Sequence, residues 1–252
     1  MTPAKPTIAL VPGAWHSPMH YEDFLQVFQD AGYPTKSITL PGAGSVNPRA
    51  QSVRADACAI RENLLLPLLE DGKDVILIMH SYGGCPGSAA ALGLSKEERS
   101  TGGGIIGLVF IAAFLAQEGD SLLSALGGKY DSWVINDENG QLDVENPLYV
   151  FYHDVPNHKA SKAVADLKLQ SEATLSSPSP PSAWDNKFYD GRRCYIRTLQ
   201  DHTIPYIAQD MMLQNSGVRW YIKDMDTSHS PFLSRPRELV DQVLEFASLF
   251  QE

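Results

Sequence analysis

Apolar residues along this chain fall into two alternating patterns: short unbroken runs, and longer stretches with an apolar residue every third or fourth position. Runs predict strands, spaced stretches predict helices, and their alternation predicts an α/β fold with a mostly parallel sheet covered by helices. Thr7 to Val11 is the first run and stops at Pro12-Gly13. A helix is expected over Tyr21 to Ala31 and a second strand over Thr35 to Leu40. Gln51 to Asp71 predicts one long helix, because Val53, Ala57, Ile60, Leu64 and Leu68 share a face. Asp74 to His80, around Val75-Ile76-Leu77-Ile78-Met79, and Ile105 to Ala112 are apolar on both faces, as strands in the middle of a parallel sheet are. A helix rich in small residues is expected between them, over Gly83 to Leu94. Two further strands are expected at Arg193 to Leu199 and Val218 to Ile222. A closing helix over Arg235 to Phe250 would take Ser234 as its N-cap and tolerate Pro236 in its first turn.

Residues 115–187 break this rhythm with short helical pieces, many Gly and Pro, and Ser176-Ser177-Pro178-Ser179-Pro180-Pro181-Ser182. The expectation is one domain over 1–252, with a core of about 1–114 and 188–252 and a helical cap inserted over the sheet at about 115–187. A length of 252 residues suits that arrangement. The net charge of −10 comes without any basic run, which argues against nucleic acid as a partner. No apolar run reaches the roughly 18 residues of a membrane span, and residues 1–6 do not lead into a secretory signal. Cys58, Cys85 and Cys194 are odd in number and lack metal-ligand spacing, so free thiols and a cytoplasmic location are expected. Oligomeric state stays open, a homodimer through the inserted segment among the options.

The strongest chemical signal is Met79-His80-Ser81-Tyr82-Gly83-Gly84, between a two-faced strand and a small-residue helix. A serine at such a turn stands above the sheet edge with a helix N-terminus beneath it, which suits a nucleophile. The pattern ordinarily has Gly two residues before the serine, and here that position is Met79; Gly84 and Gly87 can give the helix room instead. A serine hydroxyl needs a base. Of seven histidines, only His229 follows a late strand and precedes the terminal helix. The orienting acid should end a strand between the two, and Asp201 does. Asp226 is too close to His229 in sequence to reach back to the ring, and Glu118 is the reserve candidate. Two backbone N–H groups should hold a developing oxyanion: Tyr82, after the serine, and Ala14 in the loop after the first strand, with Trp15 next in line.

Taken together, Val11-Pro12-Gly13-Ala14-Trp15-His16, His80-Ser81-Tyr82-Gly83-Gly84, Val109 to Phe114, Thr198 to Pro205 and His229 to Pro236 resemble the α/β-hydrolase superfamily. The resemblance is to the small branch of plant methylesterases and hydroxynitrile lyases with their bacterial and fungal relatives. It implies nucleophile Ser81, acid Asp201, base His229, oxyanion donors at Ala14 and Tyr82, and no metal or organic cofactor. The family often has His where this chain has Pro12. Its hydroxynitrile lyases use a lysine close to the catalytic histidine, and Ser230 to Phe232 offers none, which favours hydrolysis.

The expected reaction is cleavage of a small apolar or aromatic carboxylic ester or lactone through an acyl-serine. Trp15, His16, Trp133 and Trp184 are candidate pocket residues, although aromatic residues of the inserted segment serve equally well as its own core. Two alternatives stand beside this reading: a non-hydrolytic lyase, decarboxylase or cyclase on the same scaffold, and a ligand-binding protein that lost turnover.

Overall fold

The computed structural model describes residues 4–250; residues 1–3 and 251–252 of the expected domain lie outside it. Six strands form one parallel sheet: β1 (Thr7–Val11), β2 (Thr35–Ser37), β3 (Val75–His80), β4 (Ile105–Ile111), β8 (Arg193–Thr198) and β9 (Tyr221–Met225). Their order is β2-β1-β3-β4-β8-β9. β1 and β3 are buried at every position, which is why their sequences are apolar on both faces. β2 and β9 are the edges and carry exposed residues. Helices Glu22–Asp30 and Pro236–Leu249 pack against each other, as do Val53–Ile60 and Gly84–Ala91. Among the described residues no helix is long and apolar enough to cross a membrane, and all three cysteines are free.

Several boundaries differ from expectation, for physical reasons. The second strand stops at Ser37 rather than Leu40, having only β1 beside it. The expected helix over 51–71 is broken into Val53–Ile60, a π turn at Arg61–Leu65 and Leu66–Glu70. Pro67 has no N–H to bond the preceding turn, and a widened turn just before it accommodates that loss. The last strand is Tyr221–Met225 rather than 218–222, because its register is set by pairing Cys194 with Tyr221 and Thr198 with Met225. Ser234 is not the N-cap of the closing helix. It ends a short preceding helix, Pro231–Ser234, and Arg235 takes the cap position.

The segment between β4 and β8 holds helices Leu122–Ala125, Pro147–Phe151, Asn157–Asp166 and Glu172–Ser176. It also holds a small antiparallel sheet of β5 (Val134–Asn136), β6 (Gln141–Val144) and β7 (Gln170–Ser171), in that order. A helical cap was expected here, and this sheet was not. Its three strands have three, four and two residues, too few for a period to show.

Candidate active site

β3 runs into Ser81 at a sharp turn, and the chain then enters the helical turn Ser81–Gly83 and helix Gly84–Ala91. Ser81 has φ +54°, a left-handed conformation that costs a non-glycine residue about 1–3 kcal/mol. The turn closes only because small residues surround it. A Cβ on Gly83 would meet Pro12 O at 2.5 Å, and one on Gly87 would meet Met79 Cγ at 2.7 Å. Gly87 therefore makes the room that Met79 takes up, which accounts for a methionine where glycine is usual.

Asp201 follows β8, and His229 lies between β9 and the terminal helix. Their side chains meet: His229 Nδ1–H donates to Asp201 Oδ2 at 2.7 Å, and both are buried. The carboxylate is held on every side. Thr198 Oγ1 donates to Oδ2 at 2.7 Å, and the Thr203 and Ile204 N–H groups donate to Oδ1 at 2.7 and 2.9 Å. With Nδ1 as donor, the neutral ring keeps its Nε2 lone pair for another proton. Ser81 is also buried, and among the described residues its Oγ makes no hydrogen bond. Glu118 is exposed, and Asp226 is exposed and accepts from Gln200.

A second set of contacts, absent from the sequence reading, ties three loops together. Gly13 N–H donates to Tyr21 Oη at 3.1 Å, Tyr21 Oη–H donates to His80 Nδ1 at 2.8 Å, and His80 Nε2–H donates to His229 O at 2.9 Å. The carbonyl accepts only, which assigns this tautomer. Burial, with His229 and His16 nearby, holds the His80 pKa well below the usual imidazole range, so the ring stays neutral. The adjacency of His80 to Ser81 was the one sequence signal available for it.

The loop after β1 is pinned from the inserted segment. Trp15 has φ +62°, strained for so large a residue. It is fixed by its N–H donating to Gln170 Oε1 at 3.0 Å, its indole donating to Leu142 O at 2.8 Å, and its carbonyl accepting from Lys168 N–H at 2.8 Å. Trp15 N–H is thus occupied, whereas among the described residues neither Ala14 N–H nor Tyr82 N–H has a hydrogen-bond partner. Behind Tyr82 lies Asp56, fully buried, accepting Tyr82 Oη–H at 2.7 Å and Gly42 N–H at 2.8 Å. Burial without a cation raises the Asp56 pKa to about 6 and the Tyr82 phenol well above its usual value. Nothing in the sequence marks Gln170 or Asp56.

Ala14, Trp15, Ser81 and Tyr82 line a small cavity of about 30 Å³, together with Phe114, Trp133 and Leu175 among others. It adjoins a larger cavity that Trp133 and Trp184 both line. His16 is on the wall of neither. It is buried behind Trp15, its Nδ1–H donating to Ala14 O at 2.7 Å and its Nε2 accepting from Tyr152 Oη at 2.8 Å. Among the described residues no cluster of three His, Cys, Asp or Glu could hold a metal ion.

Comparison with known proteins bears on the family and the fold. The model of the alpha/beta hydrolase family matches residues 8–242. Alpha/beta hydrolase nvfD of Aspergillus novofumigatus is 28% identical over 244 residues, covering 95% of each chain. Putative methylesterase 11 of Arabidopsis thaliana is 26% identical, covering 89% of this chain and 60% of its own. Two solved structures share the fold: a pyrethroid hydrolase from Sphingobium faniae, with TM-score 0.73, 20% identity and coverage of 96% and 97%, and a methylesterase from Arabidopsis, with TM-score 0.73, 20% identity and coverage of 96% and 99%.

Proposed function

This chain belongs to the alpha/beta hydrolase family, and from that premise we propose that it is a serine hydrolase of small-molecule carboxylic esters or lactones. Residues 115–187 act as a cap over its site. The observation that carries the reading is the buried Asp201–His229 pair at 2.7 Å, at the same C-terminal end of the parallel strands as a serine held at φ +54°. Asp201 fixes the imidazole with Nδ1 protonated, so Nε2 takes the Ser81 proton as Oγ attacks the carbonyl. The two unpartnered N–H groups, Ala14 and Tyr82, receive the oxyanion. The imidazolium then protonates the leaving alcohol, and water, activated by the same ring, releases the acid from the acyl-serine.

The test is p-nitrophenyl acetate turnover in wild type and Ser81→Ala, with fluorophosphonate labelling of Ser81 followed by mass spectrometry. Activity and label that both vanish in Ser81→Ala support the proposal. An absence of both in wild type would overturn it in favour of a binding role. Turnover of an ester to products other than its acid and alcohol would favour a non-hydrolytic reaction. Turnover that survives Asp201→Ala and is lost in Glu118→Ala would transfer the acid role to Glu118.

A further inference from the structure

Two cavities meet above Ser81, and they differ in size, wall and neighbourhood. The one touching Ser81, Ala14 and Tyr82 is narrow, with a volume of about 30 Å³. The second is much larger, about 580 Å³, with walls from Trp184, Ile204, Ala208, Met211 and Met212. Phe114, Leu126, Trp133 and Thr203 line both, so the two are chambers of one space.

Position tells the chambers apart. The larger alone is lined by His202, Ile204 and Pro205, which follow Asp201 closely along the chain. The N–H groups of Thr203 and Ile204 bond the Asp201 carboxylate, which in turn bonds the His229 ring. This chamber therefore lies toward the Asp201–His229 pair. The imidazolium must protonate the departing oxygen, so the alcohol half of an ester has to lie on that side. The acyl half stays covalently on Ser81 Oγ, beside the oxyanion donors, in the smaller chamber.

Chemistry narrows the ligand. Neither chamber has a lysine or arginine on its wall, and Asp131 is the one charged residue lining them among the described residues. An anionic group would meet no counter-charge there and would face a carboxylate at the junction. Large apolar side chains favour rings or branched carbon skeletons.

Resting on the hydrolase reading, we infer that the larger chamber is the leaving-group subsite and that the preferred substrate is an uncharged ester joining a compact acyl group to a bulky apolar alcohol. In the reaction, Ser81 Oγ forms a bond to the carbonyl carbon, the bond from that carbon to the alcohol oxygen breaks, and that oxygen takes the proton His229 removed from Ser81. The alcohol leaves through the larger chamber. Water then adds to the acyl carbon and frees Ser81.

A pair of isomers tests orientation directly: pyrenylmethyl acetate carries the ring system on the alcohol, and methyl pyreneacetate carries it on the acid. Wild-type kcat/KM should favour pyrenylmethyl acetate by about tenfold or more, a typical size for discrimination by an apolar pocket. Ala208→Phe, which narrows the larger chamber, should lower kcat/KM for pyrenylmethyl acetate about tenfold relative to methyl pyreneacetate, whose leaving group is only methanol. Met211→Trp, at a residue 55% exposed on the chamber rim, should act in the same direction without touching the core. Preference for methyl pyreneacetate, or a preference unmoved by both substitutions, would overturn the subsite assignment while Ser81-dependent p-nitrophenyl acetate turnover leaves the hydrolase reading standing. Absence of all three activities together with absence of Ser81 labelling would remove both.

Discussion

The buried carboxylate behind the site makes a quantitative prediction. Asp56 has two neutral hydrogen-bond donors, Gly42 N–H and Tyr82 Oη–H, and among the described residues no ion pair. Burial raises its pKa from 3.8 to about 6. The raised value means the folded state binds the proton more tightly than the unfolded chain does. Stability from this group is therefore fully present below pH 3.8 and is lost as pH rises through about 6. At 1.36 kcal/mol per unit, the loss is about 3 kcal/mol. Asp56→Asn removes the titration and can keep both bonds, with Oδ1 accepting from Gly42 and Nδ2 donating to Tyr82 Oη. The measurement is urea unfolding of wild type and Asp56→Asn at intervals from pH 4 to pH 7.5. Other titrating groups cancel in the difference between the two proteins. The difference should shift in favour of Asp56→Asn by about 2.4 kcal/mol between pH 4 and pH 7.5, and thermal midpoints should diverge by about 5–10 °C for a chain of this size. A difference flat with pH would refute the reasoning, since it would mean that the carboxylate is solvated or paired in the folded state.

Three other outcomes follow from the geometry. Asp201→Asn should reduce kcat about 10²–10⁴-fold with a small change in KM, read by steady-state ester hydrolysis, because the ring loses the acceptor that sets its tautomer. Gly87→Ala should lose about 1–3 kcal/mol in urea unfolding through the clash with Met79, whose Cγ and Sδ would lie 2.7 and 2.9 Å from the new Cβ; adding Met79→Ala should recover most of it. Thiol titration with Ellman's reagent should count one group in the native protein and three after unfolding, because Cys58 is exposed while Cys85 and Cys194 are buried and their pKa values are raised by that burial.

Much of this protein was legible in its amino-acid order. β1 begins and ends where the apolar run does, and β3, β4 and β8 lie within a residue of their expected bounds. Strands buried on both faces must be apolar at every position, so burial writes itself into local sequence. Ser81, Asp201 and His229 were nameable because each sits where a strand ends, and chain order along such a sheet constrains which ends can meet. The edges were less legible. β9 has exposed Tyr221 and Ile222, and hydrogen bonding to β8 rather than apolar pattern sets its ends.

What local sequence could not specify are contacts between residues far apart in the chain. Gln170 bonds Trp15 across 155 positions, and His80 bonds the His229 carbonyl across 149. No periodicity encodes such a pair, because each partner is an ordinary polar residue until folding removes water from both. The same holds for the two chambers. Their walls are drawn from six separate stretches of chain, and their volumes exist only as the space those stretches leave between them. Amino-acid order thus determined which strands form and which side chains are candidates for the chemistry. Tertiary packing decided which N–H groups remain unpaired, which carboxylate is stranded without a charge partner, and which shape of molecule the site can admit, since each depends on what is excluded from a volume rather than on what is adjacent along the chain.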